Sequence, residues 1–260
     1  MRLQRSKAEL MDTLLKAAGQ ASPGRADFAA LVELPSPVAR YLMHVLRDGQ
    51  PLIRIARLRQ TGKLRADTRN RRWLPFEARQ IVAPVSVGFI WDARVTIVPP
   101  LHVRVLDAYV LGNGSGHVSL LSAIPLASDS GSLELNSGAL HRYLAESVWY
   151  PTALLPSKAL HWSHIDGNRA LATLSDAGQT VSLEFRFNEA GEVSGVYSPG
   201  RWQKVKGNFR QTPWEGRFRS YREVEGMVVP AAGEVGWYAN GQWQMVWSGN
   251  IVEAAYEFVE

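Results

Sequence analysis

The chain has 260 residues, 46% hydrophobic, 20% charged and 10% aromatic, with a net charge of +5 and no cysteine. This composition is globular and excludes extensive disorder, and the absence of cysteine excludes disulfides, thiolate catalysis and cysteine-ligated metals. No apolar run reaches the ~18–20 residues of a spanning helix, and the first twenty residues carry charges and no signal-like core, so the sequence reads as cytoplasmic.

Residues 1–50 read as a helical segment packing on a β-rich part, 51–260, within one structural domain. Ser6-Lys7-Ala8-Glu9 is a capping-box pattern, and Leu10, Met11, Leu14, Leu15 and Ala18 follow at helical spacing. A short helical piece is expected over 27–33. Ser36 as cap, Pro37 at the first helical position and a Val38, Tyr41, Leu42, Val45 stripe predict another helix, with Gly49 beyond it. From Leu52 the period changes to two. Strands are expected over 52–60, 73–82, 89–98, 101–111 and 117–124. Gly112 to Gly116 reads as a hairpin loop, since it fits neither a nucleophile elbow nor a dinucleotide loop. A helix over 137–149 buries Leu140, Tyr143, Leu144, Ser147 and Val148 and stops at Pro151. Strands resume over 159–165, 169–174, 180–187, 193–197, 217–223, 234–239, 243–247 and 251–258.

There is no βαβ rhythm, so the fold class is α+β, mostly antiparallel β. The expected form is a single large curved sheet, a half-barrel, covered by the N-terminal helices and the one central helix. Asn240-Gly241 favours a two-residue type I′ hairpin, pairing Tyr238 with Trp243, Gly236 with Met245 and Glu234 with Trp247. With Ser248-Gly249 as a second turn, Tyr238, Trp243, Met245, Trp247, Val252, Ala254, Tyr256 and Phe258 share one face. It is the more apolar face and is placed inward, with Glu234 as its carboxylate. Incomplete cover by the helices leaves an apolar cavity.

The charge is uneven. Nine basic residues against two acidic give Arg47–Arg72 a local charge of +7; 201–222 carries +6 and 223–260 carries −6. Such asymmetry attracts anionic partners, and salt-sensitive binding of anionic liposomes through 54–72 is expected. No nucleic-acid-binding motif accompanies the charge. His161 and His164 point to opposite faces of a strand, and only His164 and Asp166 share one, so no metal site is expected.

The candidate ligand-binding residues are Trp91, Arg94, Trp149, Tyr150, Arg217, Tyr221, Glu234, Tyr238, Trp243, Met245 and Trp247. The aromatics supply an apolar wall, and an arginine fork suits a ligand carboxylate or phosphate. The expected role is non-enzymatic binding of an apolar or amphipathic, lipid-like small molecule, without a cofactor. The alternatives are a hydrolase using Asp92, Glu146, Glu215 or Glu234, and a membrane-surface protein using the basic segment.

Several runs together resemble a bacterial protein family of unknown function, over roughly 34–258. They are Leu34-Pro35-Ser36-Pro37-Val38, Trp73-Leu74-Pro75-Phe76, Gly88-Phe89-Ile90-Trp91-Asp92-Ala93-Arg94 and Asp107-Ala108-Tyr109. Arg142-Tyr143-Leu144-Ala145-Glu146 and Thr212-Pro213-Trp214-Glu215-Gly216-Arg217-Phe218 add to them. The most specific is Trp149-Tyr150-Pro151-Thr152-Ala153-Leu154-Leu155-Pro156. The layout of helices and a long meander is similar to the lipoprotein-carrier (LolA/LolB-like) half-barrel, a likeness of architecture.

Overall fold

The structure, a computed structural model, describes residues 2–20, 22–66, 68–122, 124–205 and 207–259. Asp67 and Lys206, both counted in the charged stretches above, lie outside the described residues.

One antiparallel sheet of 13 strands organises the chain. Its first meander runs β1 (Ile53–Leu64), β2 (Leu74–Ala83), β3 (Gly88–Val98), β4 (Leu101–Val110), β5 (Asn113–Leu120) and β6 (Ile124–Ser130). The second runs β7 (Leu160–Asp166), β8 (Arg169–Asp176), β9 (Gln179–Phe187), β10 (Val193–Val205), β11 (Asn208–Val224), β12 (Met227–Ala239) and β13 (Gln242–Phe258). The two meanders join where β1 pairs with β13, with Ala56 opposite Tyr256 and Leu64 opposite Trp247. The sheet is not closed; β6 and β7 are its edges. Its two ends are tied by Tyr109, whose hydroxyl donates to Asp176 at 2.8 Å, and by Lys204 with Asp129 at 2.6 Å.

The helices are α1 (Arg2–Ala18), α2 (Phe28–Leu31), α3 (Ser36–Val45) and α4 (Leu133–Glu146). They do not all cover the same face. Helix α4 packs its Leu140, Tyr143 and Leu144 stripe onto one face, here the inner one, in a core shared with Phe89, Trp91, Leu183 and Phe185. Helix α3 joins that core through Val38, Tyr41, Leu42 and Val45. Helix α1 lies on the opposite, outer face, where Leu14 and Ala18 pack with Ile55, Ile81, Ile90 and Leu106. Strands β1 to β4 are therefore apolar on both faces, as doubly covered strands are.

Local details differ from the sequence reading for identifiable reasons. Helix α1 begins at Arg2, so Ser6 is an interior position rather than a cap. The cap of α3 falls on Pro35, and Ser36 is already helical. Helix α4 starts earlier than expected because Ser132 caps it, its hydroxyl accepting from Leu135 N at 3.2 Å, with Glu134 in the positive first turn. The run Gly112–Gly116 is mostly strand rather than loop. A Cβ at Gly114 would meet the Leu135 carbonyl at 2.8 Å, so this glycine serves close approach to α4 instead of a turn. Ser248-Gly249 is not a turn either, and β13 runs straight through it. Gly249 lies opposite Gly62, and a Cβ there would meet the Trp247 ring at 2.5 Å.

The Asn240-Gly241 turn does form, with both residues at positive φ and Tyr238 opposite Trp243. Beyond it, a bulge places Glu234 opposite Ser248 rather than Trp247. Trp247 thereby reaches the inner face while Trp243 stays on the outer one, so the expected shared aromatic face is split between the two sides of the sheet.

Candidate functional site

The inner face and α4 enclose a cavity of about 340 Å³. Its apolar wall is built from Trp91, Trp149, Trp214, Phe218, Val235 and Trp247. Strand alternation aims most of them. Trp214, Gly216 and Phe218 alternate inward on β11, and Trp91 does so on β3 between Phe89 and Ala93. Trp149 enters from the 3-10 turn Ser147–Trp149 that follows α4, its ring edge-on to Phe218 at 5.9 Å and 6.4 Å from Trp247. A Cβ at Gly233 would meet the Trp149 ring at 3.3 Å, so a small residue there seats the indole.

One end of the cavity is polar. Arg142 on α4 donates to Glu146 at 2.8 Å and to Asp107 at 3.1 Å, and its guanidinium lies 4.8 Å from the Trp91 ring centroid. Glu146 also accepts from Gln80 at 2.6 Å, Gln80 accepts from Gln60 at 2.8 Å, and Gln60 accepts from the Trp91 indole at 2.8 Å. This chain satisfies polar groups on four elements, α4, β2, β1 and β3, and locks the Trp91 ring. Burial pushes the Asp107 carboxyl above its ordinary value, although Arg142 pulls the other way.

Arg201 is placed differently. Its Nη2 donates to the Gly138 carbonyl at 2.9 Å, and its guanidinium sits 4.7 Å from the Trp214 ring and 5.4 Å from Trp237. Nε has no hydrogen-bond partner, and no carboxylate of the described residues lies in ion-pair range. Burial, with the neighbouring Arg142 charge, pushes its pKa down to about 10. A second cavity, of about 230 Å³, shares Asp107, Arg142 and Arg201 with the first.

Of the sequence candidates, Trp91, Trp149 and Trp247 meet in the cavity wall. Glu234 lines it by position, but its carboxylate pairs with Arg219 at 2.9 Å. Tyr150 is fully buried beside Tyr143 and donates to the Tyr143 carbonyl at 2.7 Å. Tyr221 donates to the Val193 carbonyl at 2.8 Å, against the core. Arg94 lies on the outer face of β3, and Met245, opposite Gly236, on the outer face of β13. Arg217, Tyr238 and Trp243 are gathered on that face around Glu215. Glu215 accepts from Arg217 and Tyr238, each at 2.6 Å, and Arg217 lies 3.9 Å from the Trp243 ring.

The residues the candidate set omitted are Asp107, Arg142, Arg201, Trp214 and Phe218. Two signals pointed to Arg142 and Asp107. Arg142 and Glu146 stand four apart on one helix, and Asp107 is the carboxylate at an inward position of β4, between Val105 and Tyr109. Among the described residues, no group of three or more His, Asp or Glu is placed to hold a metal ion.

A model of a family of unknown function, DUF6920, matches residues 32–256. The chain belongs to that family. No curated protein matches this DUF6920 chain. Among solved structures it is similar to a DUF1329 family protein from Desulfovibrio piger, at 9% identity and a TM-score of 0.45, over 89% of this chain and 94% of that one. It is also similar to a LolA superfamily protein from Nitrosomonas europaea, at 8% identity and a TM-score of 0.36, over 90% of this chain and 96% of the other.

Proposed function

We propose that this DUF6920 protein binds an apolar or amphipathic, lipid-like small molecule in the tryptophan-lined cavity, without transforming it. The observation that carries the reading is the cavity itself. It holds about 340 Å³, within the range of small-molecule sites, and has an aromatic wall and one polar end where Arg201 stands beside the paired Arg142. Arg142 is saturated by two carboxylates, whereas Arg201 has none, so Arg201 is the group that takes an anionic or carbonyl end of the ligand. Exchange of the water in such a pocket for apolar ligand surface supplies the driving force.

The carboxylate-hydrolase alternative gains nothing from the geometry. Asp92 is held on the outer face by Arg104 and Lys7, each at 2.6 Å, and Glu215 and Glu234 also pair on that side. Glu146 and Glu234 line the cavity, but Glu146 is bound by Arg142 and Gln80, and the Glu234 carboxylate is paired with Arg219.

The test is titration with dansylated undecanoate, read by energy transfer from tryptophan. One saturable site is expected, weakened at least about tenfold in Trp247→Ala, which removes most of one wall. Arg201→Gln is expected to weaken the acid probe but not its methyl ester. Wild-type affinity in both Trp247→Ala and Trp149→Phe would place the ligand elsewhere and end this reading. Native mass spectrometry of protein from its own host then identifies the natural occupant.

A further inference from the structure

The charge asymmetry of the sequence is partly answered within the sheet. β1, which carries Arg54, Arg57 and Arg59, lies beside the acidic β13. Arg54 and Arg57 pair with Glu257 at 3.1 and 2.9 Å, and Arg59 pairs with Glu253. Arg47 pairs with Glu223 at 2.9 Å. Lys63, Arg65, Arg71 and Arg72 of the stretch stand at the end of β1 and in the connection to β2. Arg65 donates to the carbonyls of Met245 and Asn70, and Arg72 to that of Ile97. Carbonyls fix Arg65 and Arg72 in place without neutralising them.

The neighbouring turns at this end of the sheet are apolar. The β3–β4 turn exposes Val98 (55%) and Leu101 (38%), with Pro99 and Pro100 between them. The β5–β6 connection exposes Leu121 (47%) and Ile124 (56%). Antiparallel pairing puts the β1–β2, β3–β4 and β5–β6 connections side by side. The Arg72 bond to Ile97 and the Leu121 N bond to the His102 carbonyl, at 2.9 Å, tie adjacent ones together. Singly exposed leucines need no explanation, but a row of them on successive turns beside a cationic loop does.

We propose that this end of the sheet is a docking surface for an anionic lipid bilayer. The cations sit at head-group level, and Val98, Leu101, Leu121 and Ile124 enter the boundary with the acyl chains. A nucleic acid or an acidic protein would match the loop but leave the apolar turns in water. A second copy of the chain would oppose cation to cation. The inference goes beyond the ligand reading and stands without it, since docking needs no occupied cavity. The two surfaces are nevertheless continuous, because Leu64, Arg65 and Ala66 both lead into the basic loop and line the tryptophan cavity.

Co-sedimentation tests the proposal, using vesicles of phosphatidylcholine alone and of phosphatidylcholine mixed with phosphatidylglycerol. The expected result is binding to the mixed vesicles that weakens with salt, with little retention on the neutral ones. Arg71→Gln and Arg72→Gln are each expected to lower partition about fivefold. Val98→Ser combined with Leu101→Ser is expected to lower it by at least as much. Arg57→Gln, on the outer face of β1, serves as the control and is expected to leave it unchanged. Circular dichroism checks that each variant is folded. Equal retention on neutral and anionic vesicles, or none on either, overturns the proposal. Loss in the arginine variants with full retention in Val98→Ser/Leu101→Ser also overturns it, assigning the loop to a general polyanion contact. A loss in Arg57→Gln matching that in Arg71→Gln would move the contact to the sheet face and overturn it too.

Discussion

Arg142→Met tests how much of the molecule hangs on the polar end of the cavity. The side chain is one-fifth exposed and bridges two carboxylates on different elements, Glu146 of α4 and Asp107 of β4. Removing one partner of a buried pair leaves the other charge uncompensated, at a cost of about 3–5 kcal/mol. Asp107 is 38% exposed and reaches some water, so the lower end applies, about 3 kcal/mol. Loss of the contact with the Trp91 face adds about 0.5–1 kcal/mol. At roughly 2–4 °C per kcal/mol for a chain of this size, the melting temperature falls by roughly 7–16 °C. Glu146→Gln removes the facing charge and keeps an acceptor for Gln80, so it is expected to cost less, about 1–2 kcal/mol. The double variant is expected to fall short of the sum by about 1–3 kcal/mol, because both single changes break the same Arg142–Glu146 pair. Urea unfolding followed by tryptophan fluorescence reports all three. An Arg142→Met protein within about 0.5 kcal/mol of wild type, or strict additivity in the cycle, would refute this account of the network.

Three further outcomes are expected. Gly62→Ala, where a Cβ would collide with the Ser248 carbonyl and come within 2.7 Å of Gly249 Cα, is expected to destabilise by at least about 2 kcal/mol, while Gly167→Ala, with nothing within 4 Å, stays near zero; chemical denaturation compares them. Tyr41 is fully buried and its hydroxyl has no partner, so Tyr41→Phe is expected to be neutral or stabilising by up to about 1 kcal/mol in a thermal melt. Burial opposes ionisation of Glu215, but the bonds from Tyr238 and Arg217 outweigh it and hold its carboxyl below the ordinary range. Its contribution to stability is therefore present above about pH 4.3 and lost as pH falls through the lowered folded value, so Glu215→Gln is expected to flatten the acid limb of a stability–pH profile.

The antiparallel architecture was legible because the hydrophobic period switches cleanly at Leu52 and because Asn240-Gly241 demands a hairpin. The inward aromatic set was only half legible. A bulge at Val235/Gly236 shifts one strand by a residue, and with a period of two that moves Tyr238, Trp243 and Met245 to the face opposite Trp247. Nothing local in the sequence marks that bulge. Glycines misled twice for one reason: Gly114 and Gly249 are there to let a helix or an indole come close, and composition alone does not distinguish this from a turn. The +7 stretch was read as a surface feature, but three of its nine basic residues are answered by acidic residues about two hundred positions later, a pairing visible only once β1 is known to lie beside β13.

The same seam bears on how the chain folds. Every other strand pairs with its neighbours in sequence, so each meander is assembled from local hairpins, which form quickly. The β1–β13 ladder is the exception: Ile53 must find Phe258, and loop closure over that span comes before any of its contacts form. On the ribosome β13 is the last strand to emerge. Until then β1 is a long unpaired edge bearing Ile53, Ile55, Ala56 and Leu58, the kind of surface that recruits other chains. Truncation before Gln242 should therefore produce aggregation rather than a stable fragment, and synthesis should be most exposed to chaperones between completion of the first meander and arrival of the final strand.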